Sequence, residues 1–296
     1  MSTLLAGTLL LTATGLFSQV VGFVYRMFLS RLIGAETMGL YQLVMPAYSM
    51  LMSVTAVGLT VAVSTLSARY HALGDSGTVR QILRRALGGF LLLAVPLGIA
   101  VAALSDPISV YLLGDARTRL GVVLLVPCVL LTGVENLHKH CFYGIGRVRP
   151  PAAVETAEQL IRAAAVLGLL AALLPRSAEE TVGIIVLGMV LCEVFSACAL
   201  TLLFQRHWRQ FPPEPARDQV GRRRLFAIAL PVGATSLLGT VLGCANSVLI
   251  PAKLVEGGME LSEAMSEFGV LCGMTLPLLA LPTGFIGALC LVMVPD

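Results

Sequence analysis

Charge is in short supply in this chain. Only 12% of its 296 residues are Asp, Glu, Lys or Arg, against roughly 25% in soluble domains. With 57% hydrophobic residues and a mean hydropathy of +0.88, that scarcity excludes an ordinary soluble domain and leaves an integral membrane protein. Enzyme signatures are missing as well: there is no HExxH, no GxSxG and no phosphate-cradling glycine loop. His138-Lys139-His140 is the only close histidine pair, and it stands at a basic helix end without nearby carboxylate support, so no zinc site is expected. Cys128, Cys141, Cys192, Cys198, Cys244, Cys272 and Cys290 form no CxxC pair and lie in or beside apolar segments. They are expected to be small buried residues rather than disulfides or metal ligands. No catalytic residue, metal or cofactor is expected. The opening MSTLLAGTLLLTATGLF lacks a basic n-region and a small-residue cleavage site, so it is expected to remain as a first helix.

Apolar runs of spanning length are abundant. Eight stand out, roughly at 4–29, 38–68, 84–104, 119–142, 152–174, 181–204, 225–251 and 268–294, each near the ~20 residues that a bilayer requires. The breaks carry Gly, Pro and charge, as at Gly74-Asp75-Ser76-Gly77, Pro150-Pro151 and Pro212-Pro213. No connector is long enough to be a soluble domain. The expected fold is an all-α membrane bundle: a six-helix region (1–205), a basic linker (206–224) and two further helices (225–296). Lys and Arg crowd the even-numbered connectors, whereas Asp106, Asp115, Glu179, Glu180 and Glu256 fall in the odd ones. With eight spans, this bias places both termini in the cytoplasm. Arg222-Arg223-Arg224 then reads as a topological anchor, and with no aromatic platform beside it nucleic-acid binding is not expected.

An internal echo suggests a repeat. Arg31 is followed by Gly39 and Pro46, and Lys253 by Gly269 and Pro277. In each case a basic residue ends one helix, a glycine opens the next, and a proline follows within a few turns. Helix seven would then restart what helix one began.

Polar groups inside the apolar runs are the functional candidates, because a charge in hydrocarbon must snorkel, pair or face a wet cavity. Arg26 and Arg31 stand at the end of the first run, where snorkelling is the alternative explanation. Glu158 and Arg162 lie four apart on the fifth helix, acid first, which favours pairing. Glu193 sits near mid-span with no opposite charge one turn away, so it is protonated, paired across helices or wet. Glu135 lies toward the cytoplasmic end of its helix, where a charge is cheaper. Gln19 on helix one, and Thr235, Ser236, Thr240 and Asn246 on helix seven, either line a cavity or serve as interhelical hydrogen-bond glue.

GFVYRMFLSRLIGAETMGLYQLVMPAYSML resembles the opening of the stage V sporulation protein B group. These are polysaccharide-type members of the multidrug/oligosaccharidyl-lipid/polysaccharide exporter superfamily, related to lipid II flippases. CFYGIGRVRPPAAVETAEQLIRA, LFAIALPVGATSLL and FGVLCGMTLPLLALPTGFIGALCLVMVP resemble later stretches of the same family in order. One departure is Thr60, where the family typically has proline, which puts a kink in helix two in doubt. The resemblance implies a bundle of roughly fourteen helices in two repeat-related lobes, moving a polyprenyl-linked saccharide precursor outward for cell-wall or spore-envelope assembly. Arg26, Arg31 and Arg162 match arginine positions of the pattern, and a guanidinium fork suits the pyrophosphate of such a lipid. Glu158, Glu193, Gln19 and Asn246 are the polar cavity or coupling candidates. A cation-coupled drug exporter of the same superfamily is the alternative. Because the chain stops at Asp296, a non-transporting product, or a half needing a second polypeptide, is a third reading. Its expected partners are the lipid-linked saccharide and membrane lipids.

Overall fold

The computed structural model describes residues 2–209, 221–280 and 282, and they contain helices and turns but no strand. Helix α1 (Ser2–Met52) breaks at Gly34, whose φ of 79° and ψ of 170° lie outside helical space. Glycine adopts such a conformation without steric penalty. The two limbs of α1 fold back on each other about this residue. Leu29 and Met38 share a buried cluster, Tyr25 and Tyr41 line one cavity, and Ser18 and Tyr48 line another. Each pair is nearly equidistant from Gly34, as an antiparallel hairpin requires. The apolar stretch Leu9–Ala72 is 64 residues long. Unbroken it would reach roughly 96 Å at 1.5 Å per residue, about three times the hydrocarbon thickness.

The second limb passes through a π-helical turn, Ser53–Val57, into α2 (Gly58–Ala72). Thr60 stands where proline was expected, and its hydroxyl donates to the Val57 carbonyl at 2.7 Å. The distortion of this helix is therefore supplied by the π turn just ahead of Gly58 rather than by a proline. It serves a close helix approach: a Cβ on Gly58 would lie 2.1 Å from the Ala229 carbonyl oxygen, and the Ser53 hydroxyl donates to Ser236 at 2.9 Å.

Four long helices follow: α3 (Ser76–Ala103), α4 (Arg119–Gly144), α5 (Arg149–Leu173) and α6 (Ala178–Arg209). Asp75 caps α3 by accepting from the Thr78 amide at 2.9 Å, which satisfies an orphan donor of the first turn. Between α3 and α4, Arg117 bonds Asp115 at 2.7 Å and reaches Glu36 beside the hairpin turn at 2.7 Å. The first and third connectors are thereby tied at one end of the bundle. α4 packs along α6, α6 along α5, and α5 along α1.

α7 (Arg222–Glu256) leans on α2 and on the π turn, and only 11% of its most apolar window is buried. α8 (Leu261–Phe268) runs on through another π turn, Gly269–Thr275, and packs on α1. The two glycines of the sequence echo meet here. A Cβ on Gly39 would lie 2.1 Å from the Met265 carbonyl oxygen, and one on Gly269 would lie 2.1 Å from that of Ala35. Small residues at crossings let membrane helices approach to backbone contact.

Six described helices are long and apolar enough to cross a bilayer, and the first of them holds the first two expected spans on either side of Gly34. The eighth expected span, 268–294, starts at the last residue of α8 and continues through the π turn Gly269–Thr275. Its later part, with Cys290, lies outside the described residues, as do Pro212, Pro213 and Arg217. The other six cysteines are free thiols. Three depart from the expected burial: Cys198 is exposed, and Cys244 and Cys272 are only half-buried.

Candidate translocation cavity

Prolines at its first turn open α5, where the missing amide hydrogen is no loss, and this sets Glu155, Glu158, Gln159 and Arg162 within its first four turns. α6 lies close enough to meet them because Gly188 admits Val166: a Cβ there would stand 2.6 Å from a Val166 methyl. One turn from that crossing, the Arg162 guanidinium donates through Nη2 to Glu158 Oε1 on its own helix and to Glu193 Oε1 on α6, the latter at 3.3 Å. Glu193 is thus paired across helices.

A third carboxylate joins them. Glu135 of α4 is only 2% exposed, so its expected place near a wet helix end is corrected: it lies in the interior. Oxygens of Glu135, Glu158 and Glu193 all stand within 4.8 Å of one another. Lys139 Nζ lies 3.6 Å from Glu135 and 3.0 Å from Glu155, and Tyr143 also donates to Glu155, at 3.4 Å. The histidine stretch around Lys139 was expected to lack carboxylates nearby, and the fold supplies two. His138 itself donates from Nδ1 to the Val134 carbonyl at 2.8 Å and packs edge-on against Phe204.

Four acids here face two cations, so the cluster carries excess negative charge unless a proton or a cation is shared. Among the described residues Glu193 Oε2 and Arg162 Nε have no hydrogen-bond partner. The three carboxylates have the spacing to hold a metal ion. Arg162 already occupies two of them, however, and a divalent ion would face that guanidinium at short range. Proton exchange fits the donor set better.

Two cavities meet at Arg162. One, about 310 Å³, is lined by Ser18, Tyr48, Glu135, Glu158 and Glu193. The other, about 370 Å³, is lined by Gln19, Tyr25, Arg26, Tyr41 and Pro277. Ser18, Gln159 and Arg162 border both. The fold therefore brings Gln19, Arg26, Glu158, Arg162 and Glu193 around two adjoining cavities that share Arg162. Arg31 is exposed three residues before the Gly34 break and lines neither cavity. Asn246 is exposed on α7, away from both. Ser236 and Thr240 line a separate groove of about 430 Å³ between α7 and the second limb of α1, whereas Thr235 is exposed and bonds back to the Pro231 carbonyl at 3.0 Å.

Sequence reasoning missed the gathering of Glu135, Lys139 and Glu155 with the Glu158–Arg162 pair. The Glu135–Lys139 spacing of four was one usable signal. The meeting of three helices left none.

Apolar helices of spanning length around a charged polar cavity mark a multi-pass membrane protein. The chain belongs to the polysaccharide biosynthesis protein family, which it matches over residues 4–289. It is 27% identical over 301 residues to stage V sporulation protein B of Bacillus subtilis (strain 168), covering 99% of this chain and 58% of that relative. It is 26% identical over 170 residues to the lipid II flippase MurJ of the same organism, covering 54% of this chain and 31% of that one. The chain spans less than two thirds of the length of the curated relatives it matches. Among solved structures, the MATE multidrug transporter DinF-BH superposes with a TM-score of 0.65 at 15% identity, over 96% of this chain and 64% of that chain. A MOP superfamily transporter from Pyrococcus furiosus superposes at 0.59 and 14% identity, over 97% and 68%. The chain shares its fold with these MATE and MOP superfamily structures, and its relatives include a sporulation protein and a lipid II flippase.

Proposed function

We propose that this chain forms the pyrophosphate-binding part of a flippase for polyprenyl-linked saccharides used in cell-wall or spore-envelope assembly. One observation carries the reading: Arg162 stands where two polar cavities join, with Arg26 lining the second. A guanidinium offers a diphosphate a bidentate fork and stays charged at any working pH. Each cavity is near the lower end of the ~300–1,000 Å³ range of small-ligand sites, room for a headgroup and not for a whole lipid. Glu158 and Glu193 hold Arg162 in place until an anion competes for it. The first six spans act as one lobe, and α7 and α8 begin a repeat of it, with both termini cytoplasmic.

A cation-coupled drug exporter is the second reading. Its support is the Glu135–Glu158–Glu193 cluster, whose surplus charge suits a coupling proton, together with the likeness to multidrug transporter structures. The two readings part in a binding experiment. Purified chain in nanodiscs should bind a polyprenyl pyrophosphate, and Arg162→Ala or Arg26→Ala should weaken binding about 10–100-fold, as expected for a lost charge-assisted hydrogen bond. Lys at either position should restore it only in part, and Arg31→Ala should leave it unchanged. Unaltered binding by both alanine variants would reduce Arg26 and Arg162 to scaffold. Failure to bind the lipid, with proton-dependent binding of a cationic dye instead, would favour the exporter.

A further inference from the structure

α4 shows two opposite faces to two different environments. One face carries Glu135, Asn136 and Lys139 into the charged cavity. The other carries Val134 and His138 to the floor of a groove of about 1050 Å³, walled by α3 and α6. α3 and α6 both pack on α4 but scarcely touch each other, so the groove stays open along its outer side. Its lower part is apolar, with Leu87, Leu91 and Phe204. Its upper rim, at the end of the bundle that bears the basic connectors, carries Arg80, Arg84 and Arg209. Among the described residues no acidic one lines it.

The rim is partly built. The Arg80 guanidinium lies 5.0 Å from the centroid of the Trp208 indole and donates from Nη2 to the Trp208 carbonyl at 2.9 Å. That contact fixes the guanidinium against a ring, an arrangement that also partly desolvates it. Arg80 Nε and Gln81 Oε1 are buried beside it without a hydrogen-bond partner among the described residues. Arg84 and Arg209 are exposed at the rim. A donor is thus left over for a phosphate oxygen and an acceptor for a hydroxyl. From Arg80 to Leu91 the groove descends roughly 16 Å at helical rise, a depth that matches much of an acyl chain.

We propose that this groove binds one anionic phospholipid of the surrounding membrane, its phosphate held between Arg80, Arg84 and Arg209 and an acyl chain lying along Leu87 and Leu91. In hydrocarbon an open apolar cleft is filled by lipid chains, but those alone would not select a headgroup. The exposed Arg84 and Arg209 at the rim do. The site lies across α4 from the translocation cavity and does not depend on what that cavity carries.

Trp208 is the only tryptophan in the chain, so tryptophan emission, excited at the red edge where tyrosine does not absorb, reports on this groove alone. The chain should be reconstituted in phosphatidylcholine vesicles containing either phosphatidylglycerol or phosphatidylcholine brominated at carbons 6 and 7, at equal mole fraction. Brominated phosphatidylglycerol should quench Trp208 at a several-fold lower mole fraction than brominated phosphatidylcholine, about fivefold, because Arg80 can hold the phosphate of either lipid whereas the exposed Arg84 and Arg209 meet the net negative charge of only one. Arg84→Gln/Arg209→Gln leaves the Arg80–Trp208 stack intact and should make the two lipids equivalent while quenching persists. Equal quenching of the parent chain by both lipids, no quenching by either, or a preference that survives the double substitution would each overturn the proposal.

Discussion

Replacing Gly39 by alanine should be one of the most damaging single-methyl changes in the bundle. Its Cβ would arrive 2.1 Å from the Met265 carbonyl oxygen and 3.0 Å from that carbonyl carbon. Ordinary van der Waals contact for a Cβ begins near 3.4 Å, so α1 and α8 must part by roughly 1 Å. Both colliding groups are backbone, and no rotamer change can absorb the strain. Leu40, Leu43, Met265 and Phe268 are all buried around the crossing. A gap of that size forfeits a quarter to a half of each van der Waals well, and overpacking of this kind typically costs about 1–3 kcal/mol. Alanine's helix propensity offsets less than ~1 kcal/mol of it. The control is Gly168→Ala on α5, where an added Cβ meets nothing within 4 Å. Thermal unfolding of purified protein in detergent, followed by helical circular dichroism, should show Gly39→Ala melting roughly 3–6 °C below the parent. Gly168→Ala should melt with the parent or slightly above it. Gly269→Ala should match Gly39→Ala, and the double variant should lose less than the sum, since the helices are already apart. If Gly39→Ala melts within a degree of Gly168→Ala, the backbone contact is not what holds α8 on α1.

Two further outcomes are expected. Arg162→Met leaves Glu158 and Glu193 buried without their guanidinium and should destabilise by about 3–5 kcal/mol. Adding Glu158→Gln and Glu193→Gln to it should restore most of the melting temperature, which a purely steric role for Arg162 would not allow. For orientation, single cysteines at Leu73 and Met259, in a background without native cysteines, should respectively resist and accept an impermeant thiol reagent applied to intact cells. The opposite labelling would invert the topology.

Local chemistry was legible in the sequence, and meetings between distant segments were not. Gly34-Ala35-Glu36 reads as a break because glycine and charge interrupt an apolar run, and the chain turns there. Glu158 and Arg162 read as a pair because four residues make one helical turn, and they pair. Glu193 carries no local signal for its partner, since Arg162 reaches it from another helix. Glu135 misled for a related reason: closeness to a helix end says nothing about which face of the helix it occupies. The echo of Gly39 and Gly269 could be read as pattern, yet nothing in the pattern says that the two glycines touch. The groove beside Trp208 was invisible because it is made by what α3 and α6 fail to contact.

The hairpin at Gly34 also bears on how the chain enters the membrane during synthesis. Its turn is a single left-handed glycine, with Arg31 before it and Glu36 after it. The first limb holds Thr12, Thr14, Ser18 and Gln19, polar groups that favour a neighbouring helix over lipid. With so short a turn, that neighbour is the second limb, the next segment to leave the ribosome. The two limbs therefore suit insertion as one folded unit, with both charges kept at the same end, and a bulky residue at position 34 would be felt before the rest of the bundle exists.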